Sequence, residues 1–155
     1  MNPTLAGFLA FISGVMGIST AQLPSNAPII PFVYNLAVNT VNPALALMSN
    51  ADTTQPTLYA TAIYNLAGDL LIQLAPDQTG PPPSTYFAGL RTNFGCNSFV
   101  GGVINSTSDN STSEGMELPE FVKGLTIGQL QNLKTPYGRA YLAIAQGYGT
   151  LWGLS

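Results

Sequence analysis

Apolar residues at Leu5, Phe8, Leu9, Ile12 and Met16 recur at helical spacing behind Asn2-Pro3, a capping side chain followed by proline at the first helical position. The spacing predicts a first helix, ended by a loop around Leu23-Pro24. Ser25 is the expected cap of a second helix, whose stripe is Ile29, Phe32, Val33 and Leu36; Pro28 and Pro31 are tolerable only near its first turn. Asn42-Pro43 breaks that pattern and restarts a short helix through Met48.

The segment Asp52-Thr53-Thr54-Gln55-Pro56 is a second start signal. Behind it Tyr59, Ile63, Leu66, Leu70 and Leu74 fall on one face, and Thr57, Thr61, Asn65, Gly68 and Asp69 on the other. This is the clearest amphipathic helix of the chain, ending before Pro76, and its polar face makes Asp69 an exposed or interfacial group. Three consecutive prolines mark a loop between Asp77 and Ser84, and Tyr86 to Phe94 reads as a short helix.

From Cys96 to Pro119 the pattern changes. Beta-branched residues, glycines and alternating Ser/Thr predict an extended arm, loop or irregular hairpin over 98–119. Thr126 then caps a helix through Leu133. Thr135-Pro136 opens the last helix with the same cap-plus-proline chemistry, its stripe being Tyr137, Tyr141, Ile144 and Tyr148. The tail after Gly149 carries Leu151 and Trp152, an apolar end that needs cover from the parent fold or a neighbouring subunit. No repeat or long linker divides the chain. The expected architecture is mainly α: one domain over residues 1–155, a small helical bundle with a Ser/Thr-rich excursion before its C-terminal helices.

Charge sharpens this picture. No Lys, Arg, Asp or Glu precedes Asp52, charged residues make up 7% of the chain, and there is no histidine. A solitary domain usually carries about a quarter charged residues, and charge keeps monomers apart. A surface so poor in it is expected to lie against other protein. Membrane is the other candidate, but the run Leu5 to Ile18 is too short to span and is interrupted by Gly7, Gly14 and Gly17. It also lacks the basic flank of an export signal, which favours a folded helix, although Ser19-Thr20-Ala21 resembles a cleavage site. Four basic residues form no stripe that could displace counterions from nucleic acid.

Candidate chemistry is sparse. Cys96 is alone, so it forms no internal disulfide, and it has no histidine to activate it; it reads as a small, partly buried residue. G-x-S-x-G, a phosphate loop and a zinc cluster are all missing. Asp109, Glu114, Glu117 and Glu120 match no calcium loop and read as a solvated acidic stretch. The sequons at Asn105 and Asn110 read as incidental to a Ser/Thr-rich loop. No catalytic constellation, metal site or cofactor site is expected.

Three stretches nonetheless occur in a familiar order. Tyr64-Asn65-Leu66-Ala67-Gly68-Asp69-Leu70-Leu71 lies on the amphipathic helix. Gly102-Val103-Ile104-Asn105-Ser106-Thr107-Ser108 runs into Asn110-Ser111-Thr112-Ser113. Leu133-Lys134-Thr135-Pro136-Tyr137-Gly138-Arg139-Ala140-Tyr141-Leu142 closes the series. Together, over roughly residues 56–142, they resemble the head–tail connector, or neck adaptor, proteins of tailed bacteriophages. In that family an amphipathic helix precedes a G-x-[IV]-x-S-x-S stretch and a closing T-x-Y-G-x-x-Y-L helix.

The resemblance implies a helical subunit of a closed ring, of roughly twelve copies, docked beneath the portal at the neck of the virion and assembled in the host cytoplasm. Its partners would be sister copies, the portal protein and a downstream tail or neck protein, with genomic DNA as passing cargo through the channel. The arm (Asn105, Ser106, Thr107, Ser108, Asn110, Ser111, Thr112, Ser113) would reach a neighbour or line the channel. The tail (Tyr148, Leu151, Trp152) would serve as interface. Thr135, Tyr137, Gly138, Arg139 and Tyr141 carry the closing motif. Neither enzymatic activity nor cofactor is implied. A ring subunit covers two different faces, each obligate contact burying on the order of 2,000 Å² or more, which accommodates a low surface charge. A capsid cement protein or other minor virion component is the alternative, and an exported binding module a more distant one.

Overall fold

Helix α3 (Leu58–Leu74) is the axis on which the other helices pack, in a computed structural model that describes residues 2–48, 56–79, 84–97, 107–109, 112–114 and 127–147. Thr57 starts it: an extended backbone lets its Oγ1 accept from Ala60 N at 3.1 Å. Every residue from Ala62 to Asp69 is buried. The expected division into an apolar and a polar face therefore does not hold: Asn65, Gly68 and Asp69 are enclosed, whereas Leu74 is exposed. The reason lies in side-chain size. Ala60, Ala62, Ala67 and Gly68 keep the helix slim, so neighbours close over the side that carries the polar groups. Gly68 faces Phe11 and Met16, and Asn65 satisfies its amide on Thr61 O at 2.9 Å.

Helix α1 (Leu5–Gly14) begins two residues later than Asn2-Pro3 suggested. Thr4 is the cap, its Oγ1 accepting from Gly7 N at 3.0 Å. Phe8 and Ile12 are buried, and the Phe8 ring lies about 6 Å from those of Tyr34 and Tyr64. The Tyr64 hydroxyl accepts from Thr4 N at 3.0 Å and donates to Thr4 O at 3.2 Å, tying α1 to α3. The end of α1 is set by Gly17, whose φ of 67° turns the chain so that Ile18 N reaches Ile12 O at 3.1 Å.

Helix α2 (Ile29–Thr40) has Pro28, not Ser25, at its cap position, and Pro31 falls in the first turn, where its missing N–H costs nothing. Its buried residues are Ile30, Val33 and Ala37. Of the expected stripe only Val33 is in the core, and Phe32 and Leu36 face outward. A short 3-10 helix follows at Pro43–Met48, its first turn capped by Asn42 Oδ1 accepting from Ala44 N at 2.9 Å.

Helix α4 (Tyr86–Asn93) packs on α3 through Phe87. Asp77 caps it, accepting from Phe87 N at 2.7 Å and Ala88 N at 2.9 Å. Arg91 returns the favour at the far end of α3, its Nη1 donating to Ala75 O at 2.7 Å and Ile72 O at 3.2 Å, with Nη2 3.7 Å from the Asp77 carboxylate. Strands β1 (Thr107–Asp109) and β2 (Thr112–Glu114) pair antiparallel, Ser108 opposite Ser113. Helices α5 (Ile127–Asn132) and α6 (Pro136–Gly147) complete the described elements, and α6 lies along α3. The fold is mainly helical, as expected. Among the described residues no helix is long and apolar enough to cross a membrane.

Candidate functional site

Two of the three stretches that carry the family resemblance meet in the interior. Asp69 of α3 is fully buried, and its Oδ1 accepts a short hydrogen bond from Thr135 Oγ1 at the start of α6. That hydroxyl is used twice, since it also accepts from Gly138 N at 2.9 Å and so caps α6. On the other carboxylate oxygen, Gln73 Nε2 donates at 2.8 Å. The Asn132 amide, oriented by its surroundings with nitrogen inward, donates to the same oxygen at 2.9 Å and to Gly128 O at 3.2 Å. One carboxylate thus holds α3, the end of α5 and the beginning of α6.

Burial raises the Asp69 carboxyl from an ordinary 3.8 to about 6, against the opposing pull of the Thr135 and Gln73 hydrogen bonds. A carboxyl titrating near neutrality suits proton transfer where a substrate can reach it. Here it is enclosed and its partners are protein donors, which makes it a joint between helices.

The closing motif has a packing explanation residue by residue. Thr135 is the cap and clasp. Gly138 lies against the α5–α6 turn: a Cβ there would stand 2.7 Å from the Asn132 carbonyl carbon and closer still to its oxygen. Gly138→Ala is accordingly expected to lower stability by about 2 kcal/mol, because the obstacle is backbone; an unchanged denaturation midpoint would contradict this contact. Tyr137 is half-buried, with its ring edge-on to Phe11 at 6.0 Å. Tyr141 is buried beside Leu142 and Ala145. Burial pushes both phenols up. Arg139 is exposed, its Nη1 donating to Leu133 O at 3.0 Å and Lys134 O at 3.3 Å, which fastens the turn before α6.

Cys96 is half-buried, as its solitary reading suggested, and burial foremost, then Asp69, raises its thiol against the pull of Lys134 and Arg91. That is the opposite of an activated thiolate. Its carbonyl accepts from Gln131 Nε2 at 3.3 Å and Lys134 Nζ at 3.4 Å, linking the chain after α4 to α5. Among the described residues no group of acidic, Cys or His side chains could hold a metal.

Of the arm, Thr107 and Ser108 lie on β1 and Thr112 and Ser113 on β2, a ribbon that pairs Thr107 with Glu114 and Asp109 with Thr112. Asn105, Ser106, Asn110 and Ser111 lie outside the described residues, as do Tyr148, Leu151 and Trp152 of the tail. The sequence did not single out the Asp69 partners Gln73 and Asn132, and it placed the outward-facing Phe32 and Leu36 on the inner stripe of α2. The available signal was Asp69 itself, an acid midway along an apolar helix four residues before a glutamine.

No family model, curated protein or solved structure matches this chain.

Proposed function

We propose that this chain is a structural assembly protein, the head–tail adaptor of a tailed bacteriophage, which joins sister copies in a ring and docks on the portal at the neck of the virion. The observation that carries the reading is the buried Asp69–Thr135 hydrogen bond. It unites the Y-N-L-A-G-D-L-L helix with the L-K-T-P-Y-G-R-A-Y-L helix, so two of the stretches behind the resemblance act as one structural unit.

The uncharged N-terminal third and the outward apolar side chains of α2 support the same reading, since both are costly in a lone molecule and useful between subunits. The β1–β2 ribbon supplies backbone suited to strand addition, an affinity drawn from main-chain hydrogen bonds. In this reading the ribbon engages a neighbouring chain, and the small neutral hydroxyls of the arm give passing DNA few places to adhere.

The test is native mass measurement of the purified chain with and without the portal protein of the same virus. The expected result is a portal-bound ring. Deleting residues 105–113 is expected to leave a helical chain that no longer joins the portal; a deletant that docks normally removes the role of the arm. Binding to capsid shells but not to isolated portal would replace the adaptor reading with that of a cement protein.

A further inference from the structure

Helices α5 and α6 follow one another in the chain but are held to the bundle in different ways. Helix α6 buries Gly138, Tyr141, Leu142 and Ala145. In α5 none of residues 128–132 is fully buried. Polar contacts hold it: Gln131 Nε2 donates to Cys96 O at 3.3 Å, and the Asn132 amide donates to Asp69 Oδ2 at 2.9 Å. Six residues make fewer than two turns, and the second of them is glycine. A helix so short does not persist by its own propensity in water, and glycine weakens it further.

The fastening is uneven along α5. Asn132, at its C-terminal end, is pinned by Asp69 and by the close approach of Gly138 to its carbonyl. Leu133 then packs on the core, and Arg139 holds the Leu133 and Lys134 carbonyls. The preceding turn of α5 is tied to the segment after α4 by the Gln131–Cys96 hydrogen bond, a contact of small net strength. An element that buries little and is fastened by polar groups opens at a fraction of the global stability.

We propose that α5 is a detachable root of the Ser/Thr-rich arm: residues 127–131 peel away as a local unit, pivoting at Asn132, while α6 stays docked. Helix α5 is the first described element after the β1–β2 ribbon. Five residues span about 8 Å as helix and about 17 Å when extended. Release therefore lengthens the C-terminal side of the arm by about 9 Å, close to the spacing of two packed helices. The use of that reach, to meet a neighbouring chain, rests on the adaptor reading. The local opening itself requires no partner.

The test is native-state hydrogen exchange of the full chain, read residue by residue by nuclear magnetic resonance. The reporters are the amides of Leu133, bonded to Gln129 O at 3.2 Å, and Lys134, bonded to Gln131 O at 3.1 Å. They are expected to exchange roughly a hundredfold or more faster than those of Leu142 and Ala145 in α6. Their exchange is also expected to be insensitive to low denaturant, since the opening exposes little surface. Gln131→Ala is expected to speed them about fivefold, the scale of one lost hydrogen bond. Gly128→Ala, at an exposed position, is expected to slow them about fivefold, the scale of the difference in helix propensity. Neither variant is expected to move the α6 amides.

Reporters that exchange at the rate of the α6 amides overturn the proposal, because α5 and α6 would then open as one unit. So do variants that shift both helices together. Exchange as expected in a chain that never binds portal keeps this inference and removes the adaptor reading. Portal docking by a chain whose two helices open together does the reverse.

Discussion

Thr135→Val is expected to lower stability by about 3 kcal/mol at pH 7. The substitution keeps the shape and removes the hydroxyl, which serves two partners. Losing an N-cap costs about 1 kcal/mol. Losing a hydrogen bond to a buried charged group costs about 1.5–3 kcal/mol, because the acceptor cannot turn to water instead. Thr135→Ser retains the hydroxyl and gives up one methyl, for about 1 kcal/mol. Denaturant midpoints of the three proteins measure the difference. A valine variant as stable as the serine variant would mean that the hydroxyl contributes nothing beyond packing, and the Asp69 joint would have to be abandoned.

Acidification is expected to strengthen the fold. The Asp69 carboxyl is raised from 3.8 to about 6 in the folded chain, so the folded state holds the proton more tightly than the unfolded state. Between these values folding takes up a proton, and stability falls as pH rises from about 4 to about 6, then levels off. The difference corresponds to about 2 kcal/mol between pH 7 and pH 4, more stable at the acid end, and approaches its full value of about 3 kcal/mol only below the unfolded value of 3.8.

Asp69→Asn, which cannot ionise, is expected to flatten that slope. The Gln73 and Asn132 amides can each reverse to receive the new N–H, so the variant should fold. Subtracting its pH profile from that of the wild type cancels the other titrating groups, and identical profiles would refute the shift. The two predictions are coupled, since the Thr135 hydrogen bond favours the ionised carboxylate. The deficit of Thr135→Val should therefore shrink at pH 4.5, where Asp69 is protonated.

Much of the helical framework was legible in the chain. Thr135-Pro136 marked the start of α6 because capping and proline geometry are local properties. The break at Asn42-Pro43 and the end of α3 before Pro76 were legible for the same reason, and the short α4 was also expected. Cap identities slipped where several candidates were close together, as at Asn2 and Thr4 or Ser25 and Pro28, and the cap of α4, Asp77, was not named because it comes from a distance. Helix faces slipped more seriously. In α2 the apolar residues nearly encircle the helix, so periodicity could not decide whether Phe32 or Ile30 turned inward.

By itself, then, the sequence determined a mainly helical chain, the approximate placement of its helices, and an unusual poverty of charge, because backbone propensity, capping and composition act within a few residues or are summed over the whole. Only the tertiary structure decided that Asp69 is interior, that Thr135 is its partner 66 positions away, and that in α2 Ile30 is buried while Phe32 and Leu36 face outward. Those outcomes depend on which helix lies against which. A polar residue enters the core when distant donors satisfy it, and a large apolar residue is left outside when smaller neighbours have already filled the space.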